Sequence, residues 1–322
     1  MVYYLLFNPG GRVSVLVVDT DPGLDDAHAL AMALTPTAAR PAPPVAAVCT
    51  VAGNVDVGRV TANARWLLGA YGVGDVPVHR GASGPLAGPR VDAAEIHGAD
   101  GLGGVPRHRV PDVPETAGAA ALALIDAARR HPGETTVVAL GPLTNLALAV
   151  RLEPRLPELV DRVVVMGGAI DGRGNLTMNA EFNTGADPAA ADLVFAEFSR
   201  VTLISWETTM AHPFTPGEFA GFFAGDARPA RVLDEVVRHR FAADPAYANR
   251  PSFLRPDPLA MAVALDPSIV TRAETHRIYV GYGPGLDRGL TVVDWLDRYD
   301  DRPAVQIVLE VDRPRLLDLL RI

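Results

Sequence analysis

The chain alternates between short apolar runs rich in β-branched residues and longer stretches rich in alanine and leucine. This alternation constrains the fold most, because it is typical of parallel strands joined by crossover helices. We predict strands at Val13–Val18, Val45–Val51, Thr135–Leu140, Val163–Met166 and Val201–Ser205, with helices at Asp25–Leu34 and Val57–Tyr71. We therefore expect an α/β fold with an open, doubly wound, mostly parallel central sheet of Rossmann-like topology and helices on both faces. Such sheets bind ligands beyond the carboxyl ends of their strands.

The composition excludes several kinds of chemistry. The sequence contains no lysine, so all 29 basic residues are arginine, which excludes a lysine Schiff base and the P-loop lysine of nucleotide triphosphatases. The single cysteine, Cys49, excludes an intrachain disulfide and a cysteine-based zinc site. A net charge of −9 without a basic block argues against a nucleic-acid partner. No apolar run approaches the roughly 18 residues of a membrane span, so we expect no membrane partner.

We expect a single domain over residues 1–322, because no linker-like stretch or internal repeat interrupts the pattern. Met1–Arg12 lacks the basic region and cleavage site of a secretory signal, so we interpret it as an extension leading into the first strand. A cytoplasmic location is the corresponding expectation. Residues from about 207 to 256 are rich in Phe, Pro and Ala and are the least strand-like part of the chain. We expect them to form a helical segment that covers the active site.

Four aspartates fall within the eight residues Asp19-Thr20-Asp21-Pro22-Gly23-Leu24-Asp25-Asp26, where the first predicted strand gives way to a helix. Helix capping contributes only about 0.5–2 kcal/mol and explains Asp25, Asp26 or both, but it does not explain Asp21. Carboxylates in a partly buried turn repel one another, whereas a hard cation bound by oxygen ligands accounts for several of them at once. The cluster therefore predicts a cation site.

Two other kinds of protein place aspartates in similar turns. An EF-hand is excluded, because its third ligand position would fall on Gly23 and its bidentate glutamate on Leu30. A haloacid dehalogenase-like phosphatase has an Asp-x-Asp at the end of its first strand. Here, however, Pro22-Gly23 replaces its usual hydroxyl-bearing region, and its phosphate-binding lysine does not exist in this chain. The phosphatase is therefore the weaker alternative.

The segment Asp19–Ala27 resembles the signature of the nucleoside hydrolase family, enzymes that cut the N-glycosidic bond of ribonucleosides with a bound calcium ion. Further matches follow in the same order over nearly the whole chain: Val51-Ala52-Gly53-Asn54, His97-Gly98, Gly141-Pro142-Leu143-Thr144-Asn145, Arg151-Leu152-Glu153-Pro154, Met166-Gly167-Gly168, Ala180-Glu181-Phe182-Asn183, Asp187-Pro188 and Asp257-Pro258. One short motif is a weak signal, but this ordered set is a strong one. The set is similar to the inosine-uridine preferring type of the family.

The resemblance implies a calcium ion held by Asp21, Asp26, Asp257 and the backbone carbonyl of Leu140. Calcium takes six to eight oxygen ligands, so this set leaves room for water and for two sugar hydroxyls. The resemblance also implies that Asp21 is the catalytic base, which accepts a proton from the metal-activated water that attacks the anomeric carbon. The surrounding carboxylates would stabilise an oxocarbenium-like transition state. Taken alone, Asp257 is better explained as an N-cap before a helix Pro258–Leu265, and only together with the early acidic cluster is the role of a metal ligand favoured.

The resemblance further implies a set of substrate-binding residues. Its members are Asp25, Asn54, His97, Met166, Asn175, Glu181, Asn183 and Asp257. Ribose hydroxyls both donate and accept hydrogen bonds, so carboxylates and amides on loops suit them. Glu181 and Asn183 would face the same side if their segment is extended. For His97, which lies in a predicted loop, a solvent-exposed position is the alternative to substrate contact.

The sequence departs from its relatives immediately before the late aspartate. Many family members carry there a histidine that protonates the leaving base, or a tryptophan that stacks on it. Here the position is Pro256, which does neither. Tyr247, His239 and Arg250 lie upstream and are candidates for assisting the departure of the base, with a surface position as the alternative for each. We therefore predict weak general-acid assistance.

The expected partner is a small nucleoside substrate, and the resemblance suggests a homodimer or a homotetramer. A nucleoside-binding protein that has lost turnover is a different kind of function for the same fold. The intact acidic set argues against it. A hydrolase of an unusual riboside stays open, because the sequence does not identify the base.

Overall fold

A computed structural model describes residues 14–37, 40–107 and 113–322 of the chain. Its strands are β1 Val15–Thr20, β2 Val45–Thr50, β3 Val78–Arg80, β4 Thr135–Ala139, β5 Val160–Met166, β6 Val201–Ile204, β7 Val270–His276, β8 Ile278–Val280, β9 Thr291–Val293 and β10 Val305–Val311. Its helices are α1 Leu24–Leu34, α2 Val57–Tyr71, α3 Ala94–His97, α4 Ala120–Arg130, α5 Thr144–Leu152, α6 Leu156–Leu159, α7 Phe182–Ala186, α8 Pro188–Glu197, α9 Trp206–Met210, α10 Pro216–Gly221, α11 Arg228–Ala243, α12 Pro245–Ala248, α13 Pro256–Leu265 and α14 Arg313–Leu319. A 3₁₀ turn spans Pro267–Ile269. The extension predicted over Met1–Arg12 lies outside the described residues.

Eight strands form one sheet in the order β3-β2-β1-β4-β5-β6-β10-β7. All neighbouring strands in it run parallel except β7, which pairs with β10 in the antiparallel direction. The prediction of a doubly wound, mostly parallel α/β sheet is confirmed. The first six strands follow the order 3-2-1-4-5-6, in which the winding reverses between β1 and β4. A ligand site is therefore expected where these two strands end.

Helices cover both faces of the sheet, and the side chains of β1 pack against helices on each face. Leu16 and Val18 belong to a core cluster that includes residues of α1, α2 and α13. Val17 points to the other side and joins a cluster with residues of α4, α5 and α8. Because successive side chains of a strand alternate between faces, an apolar run such as β1 has to be covered on both. The buried sheet is a rigid support for the loops at its carboxyl edge.

Two predicted boundaries were wrong near the acidic residues. β1 continues to Thr20, so Asp19 pairs within the sheet between Cys49 and Ala139, whereas the prediction ended the strand at Val18. A buried strand tolerates this carboxylate because the side-chain amide of Asn145 donates to it at 2.7 Å, although burial still raises the pKa of Asp19 to about 7.

The second boundary is that of α13, which begins at Pro256 and not at Pro258. Proline is favoured at the first helical position, because its missing N–H group would have no intrahelical partner there. Asp257 therefore lies in the first turn of the helix and is not its N-cap.

The segment that follows β6 contains four helices, α9 to α12, before the chain reaches α13. The short hairpin β8–β9 and the antiparallel edge strand β7 follow α13 and were absent from the predicted pattern. Within the described ranges, no helix is long and apolar enough to cross a membrane.

Candidate active site

A cavity of about 750 Å³ lies beyond the carboxyl ends of the central strands. Its lining includes residues that follow β1, β2, β4 and β6, together with Met166 at the end of β5. Residues of α3, α7, α12 and the first turn of α13 complete it. The cavity thus lies at the reversal of the winding, where the topology places a ligand.

The turn between β1 and α1 is held by the side chain of Asp26. One of its oxygens accepts the N–H of Gly23 at 2.9 Å and the side-chain amide of Asn54 at 3.0 Å. The other accepts the hydroxyl of Thr20 and the N–H of Asp21. Asp26 therefore caps the helix, as the simplest reading of the sequence proposed, and also joins the turn to the segment after β2.

Asp21 lies against backbone on two sides. Its Oδ2 accepts the N–H of Asn54 at 2.7 Å. A Cβ atom at Gly53 would collide with this carboxylate, and a Cβ atom at Gly141 would approach its Oδ1 to 2.6 Å. Two glycines are therefore needed for the close approach of backbone to Asp21, which is 1% exposed.

Four carboxylates meet in this region, and we call Asp21, Asp25, Asp26 and Asp257 the carboxylate floor. Ligand atoms of Asp25, Asp26 and Asp257 lie within 4.8 Å of one another. Burial raises the pKa of Asp21, Asp26 and Asp257, and the charges of the neighbouring carboxylates raise all three further. Oδ1 of Asp25 is buried without a hydrogen-bond partner among the described residues.

The carboxylate floor could hold a metal ion. Buried like charges at this separation need protons or a cation, and carboxylate oxygens suit a hard divalent ion. The three carboxylates within 4.8 Å of one another include Asp25, which the resemblance assigned to sugar binding, and do not include Asp21. The carbonyl of Leu140, the fourth expected ligand, accepts the side-chain amide of Asn183 at 2.8 Å and has a second lone pair for another partner.

The polar residues after β5 form one wall of the cavity. Glu181 is the N-cap of α7 and accepts the N–H groups of Gly168 and Thr184, at 2.8 and 3.1 Å. Burial raises its pKa, and these hydrogen bonds oppose the shift. Asn183 lies inside α7, so the segment is helical and not extended as the spacing argument assumed. A helix turn nevertheless leaves both side chains lining the cavity, together with Asn175.

His97 lies at the end of α3 and is 9% exposed, which excludes the solvent-exposed alternative. Its Nδ1 accepts the N–H of Leu24 at 3.1 Å and lies 3.8 Å from Oδ1 of Asp25. Because Nδ1 accepts a hydrogen bond, the neutral imidazole carries its proton on Nε2. The ring therefore offers a donor at Nε2.

The opposite side of the cavity differs in chemistry, and we call Trp206, Tyr247, Arg250, Phe253 and Arg255 the covering wall. The guanidinium of Arg250 lies 4.4 Å from the ring centroid of Tyr247, and that of Arg240 lies 4.7 Å from it. Burial raises the pKa of the Tyr247 phenol, which keeps it protonated. His239, the third candidate for assisting the base, bonds the carbonyl of Glu235 and does not line the cavity.

Three wall residues were missed by sequence reasoning. Trp206 follows β6 directly, and the rule that ligands bind at strand ends could have identified it. Phe253 pairs with Phe214 through backbone hydrogen bonds, a long-range contact with no local signal. Arg255 stands one residue before Pro256, the position at which the sequence departs from its relatives.

Comparisons with known proteins agree with this geometry. Residues 16–318 match the family described as inosine-uridine preferring nucleoside hydrolase. The chain is 33% identical to the inosine-uridine preferring nucleoside hydrolase of Crithidia fasciculata, with 92% of this chain and 93% of that protein covered. It is 34% identical to the non-specific ribonucleoside hydrolase RihC of Salmonella paratyphi B, with the same coverage. The solved structure of a plant nucleoside hydrolase, PpNRh1, has a TM-score of 0.85 at 32% identity and covers 96% of this chain and 98% of its own.

Proposed function

The chain belongs to the family of inosine-uridine preferring nucleoside hydrolases, and on that premise we propose that its carboxylate floor cleaves ribonucleosides with the help of a bound calcium ion. Hydrolysis of the N-glycosidic bond, which releases ribose and the free base, is the activity that family membership gives to this chain. The observation that carries the calcium proposal is the trio of carboxylate ligand atoms within 4.8 Å at the reversal of the winding.

The proposed ligands are the side chains of Asp21, Asp26 and Asp257 and the carbonyl of Leu140. Oxygen atoms alone make up this set, which is the preference of calcium. A bound calcium ion would supply positive charge that offsets the carboxylates and makes a water molecule easier to deprotonate. Asp25, which belongs to the trio of carboxylates within 4.8 Å, is proposed to lie between the ion and the sugar, because its Oδ1 has no hydrogen-bond partner among the described residues.

Asp21 is the proposed general base. The N–H of Asn54 donates to one of its oxygens, and the backbone at Gly53 and Gly141 approaches the carboxylate so closely that neither position has room for a Cβ atom. As the oxygen of water bonds to C1′, Asp21 takes one proton, and the base departs with the electron pair of the broken C1′–N bond. The neighbouring carboxylates stabilise the positive charge that develops on the sugar.

The ribose is proposed to bind between the carboxylate floor and the wall after β5. Asp25 and Asn54 would bond the 2′- and 3′-hydroxyls, with Nε2 of His97 as a further donor nearby. Asn175, Glu181 and Asn183 would hold the rest of the sugar, and Met166 would supply an apolar contact below it. All of these side chains line the same cavity, which supports the assignment.

Assembly and location are part of the proposal. We expect a homodimer or homotetramer in the cytoplasm. Large apolar side chains are exposed in and after the β8–β9 hairpin, among them Leu286, Leu296 and Tyr299, which supports an interface between copies. Light scattering of the purified protein measures the number of copies, and a monomer at micromolar concentration would contradict this part.

A panel of ribosides tests the proposed activity. The purified protein is incubated with calcium and with purine, pyrimidine and synthetic ribosides, and the release of reducing sugar is measured. Ribose release from ribonucleosides is expected. Tight binding of nucleosides without any release would instead identify the protein as a binding protein that has lost turnover.

A further inference from the structure

Arg255 is a buried cation whose hydrogen-bonding capacity is mostly unused. Its side chain lines the cavity, yet the residue is only 3% exposed. A guanidinium carries five N–H donors, and the described residues provide an acceptor for one of them, the carbonyl of Leu24 at 3.2 Å. Its Nε is buried without a hydrogen-bond partner among the described residues. Buried donors without acceptors are costly, so such a side chain is expected to have a ligand.

Arg255 belongs to the covering wall, the side of the cavity that the proposed ribose contacts leave free. Arg255 bonds the residue directly before Asp25, so it lies beside the carboxylate floor without belonging to it. Its guanidinium lies 5.3 Å from the ring centroid of Phe219, and Tyr247 is close enough that the charge of Arg255 lowers the pKa of its phenol against the effect of burial. An aromatic heterocycle fits this side, since the ribose uses the carboxylates and amides opposite.

On the basis of the proposed function, we propose that Arg255 is a catalytic residue that donates hydrogen bonds to the departing base and stabilises the negative charge that develops on it. When the C1′–N bond breaks, its electron pair stays on the base. The oxygen of water bonds to C1′, one proton goes to Asp21, and the base anion, held by the guanidinium, takes its proton from solvent. Arginine has too high a pKa to give up its own proton, so it acts here as a fixed donor and not as a general acid.

A comparison of two substrates distinguishes the proposed catalytic role of Arg255 from a purely structural role. The base of inosine leaves as a poorly stabilised anion, whereas p-nitrophenolate needs no help to carry its charge. Arg255→Met should lower kcat/KM for inosine about a hundredfold, the effect of removing one donor aimed at developing charge, and should change kcat/KM for p-nitrophenyl riboside less than about threefold. Arg255→Lys, which keeps the charge and the aliphatic stem, should show the same selective loss at about a tenth of its size. This second variant gives the measurement if Arg255→Met does not fold.

Arg240 provides the matched control. It is also buried, at 7% exposure, but it donates to the carbonyls of Glu95 and Ile96 and to Asp244, and it does not line the cavity. Arg240→Met should lower kcat/KM for both substrates by a similar factor, because Arg240 acts on the cavity only indirectly, through the segment that carries His97 and through the ring of Tyr247.

Equal losses for both substrates in the Arg255 variants, or no loss for either, would overturn the role proposed for Arg255. If the wild-type protein cleaves neither riboside, the proposed function itself has failed, which is a different result.

Discussion

The carboxylate floor and the covering wall meet in one cavity but are built differently. The floor is fixed by short polar contacts: Asp26 accepts four hydrogen bonds, and Asp21 is enclosed by two glycines. The covering wall is held mainly by aromatic rings and guanidinium groups, with the guanidinium groups of Arg240 and Arg250 lying 4.7 and 4.4 Å from the ring centroid of Tyr247. In the proposed function, the rigid floor holds the ion and the sugar that all ribonucleosides share. The wall is proposed to contact only the base, which differs between nucleosides.

The largest effect is expected from the floor. Asp21→Ala removes the proposed base and a proposed calcium ligand together, so kcat should fall by several orders of magnitude, about 10³-fold or more. Asp75 is exposed and does not line the cavity, so Asp75→Ala serves as the control and should leave turnover unchanged. Full activity in the Asp21 variant would remove the floor from the mechanism.

A comparison of leaving groups tests the wall. Pro256 has no proton to give, so p-nitrophenyl riboside should be turned over faster than inosine by about 10²–10⁴-fold, the usual contribution of general acid catalysis. Steady-state kcat/KM values for the two substrates measure the gap. Comparable values would mean that the departure of the base is assisted after all. Substitution of Tyr247, His239 and His97 one at a time would then test for a proton donor, and the Arg255 variants would test whether the guanidinium gives the assistance instead.

Removal of a sugar hydroxyl from the substrate should have a smaller effect on kcat/KM, and this effect again tests the floor. A 2′-deoxynucleoside leaves Asp25 and Asn54 with unpaired polar groups, which costs about 3 kcal/mol, or roughly a hundredfold in kcat/KM. Parallel assays of uridine and 2′-deoxyuridine measure this. Equal rates for the two would contradict the proposed grip on the ribose.

The smallest expected effects are changes in the free energy of unfolding, which should differ in sign or size between the floor and the region behind the wall. Gly53→Ala forces a methyl group against the carboxylate of Asp21 and should lower the free energy of unfolding by about 1–3 kcal/mol. Gly217→Ala in α10, behind the wall, meets no atom within 4 Å and replaces a helical glycine, so it should be neutral or stabilising by up to about 1 kcal/mol. Thermal melts of both variants decide this, and a destabilised Gly217 variant would contradict the contrast.

The sequence predicted the floor better than the wall for a physical reason. Asp21, Asp25 and Asp26 follow an apolar strand within six residues, so the local sequence pattern and the rule that ligands bind at strand ends place them at the carboxyl edge of the sheet. Arg255 owes its position to packing of α1 and α10 residues against it, which no local spacing records.

The missing strands illustrate the same limit. Along β7, partly buried and exposed side chains do not alternate regularly, and Arg272 and Glu274 are exposed. Charged residues on an edge strand discourage pairing with a further strand. Its polar sequence, Val270–His276, therefore gave no strand signal. The insertion of β10 between β6 and β7 depends on tertiary contacts between segments about 100 residues apart.

The central claim is that the carboxylate floor works around one bound calcium ion, and calcium removal tests it most directly. Protein treated exhaustively with a chelator is assayed for ribose release from inosine and uridine, and calcium is then titrated back while its binding is measured by calorimetry. We predict that ribose release is lost, that it returns with calcium, and that the binding curve gives one tight site per chain. Undiminished ribose release by the calcium-free protein would contradict the account.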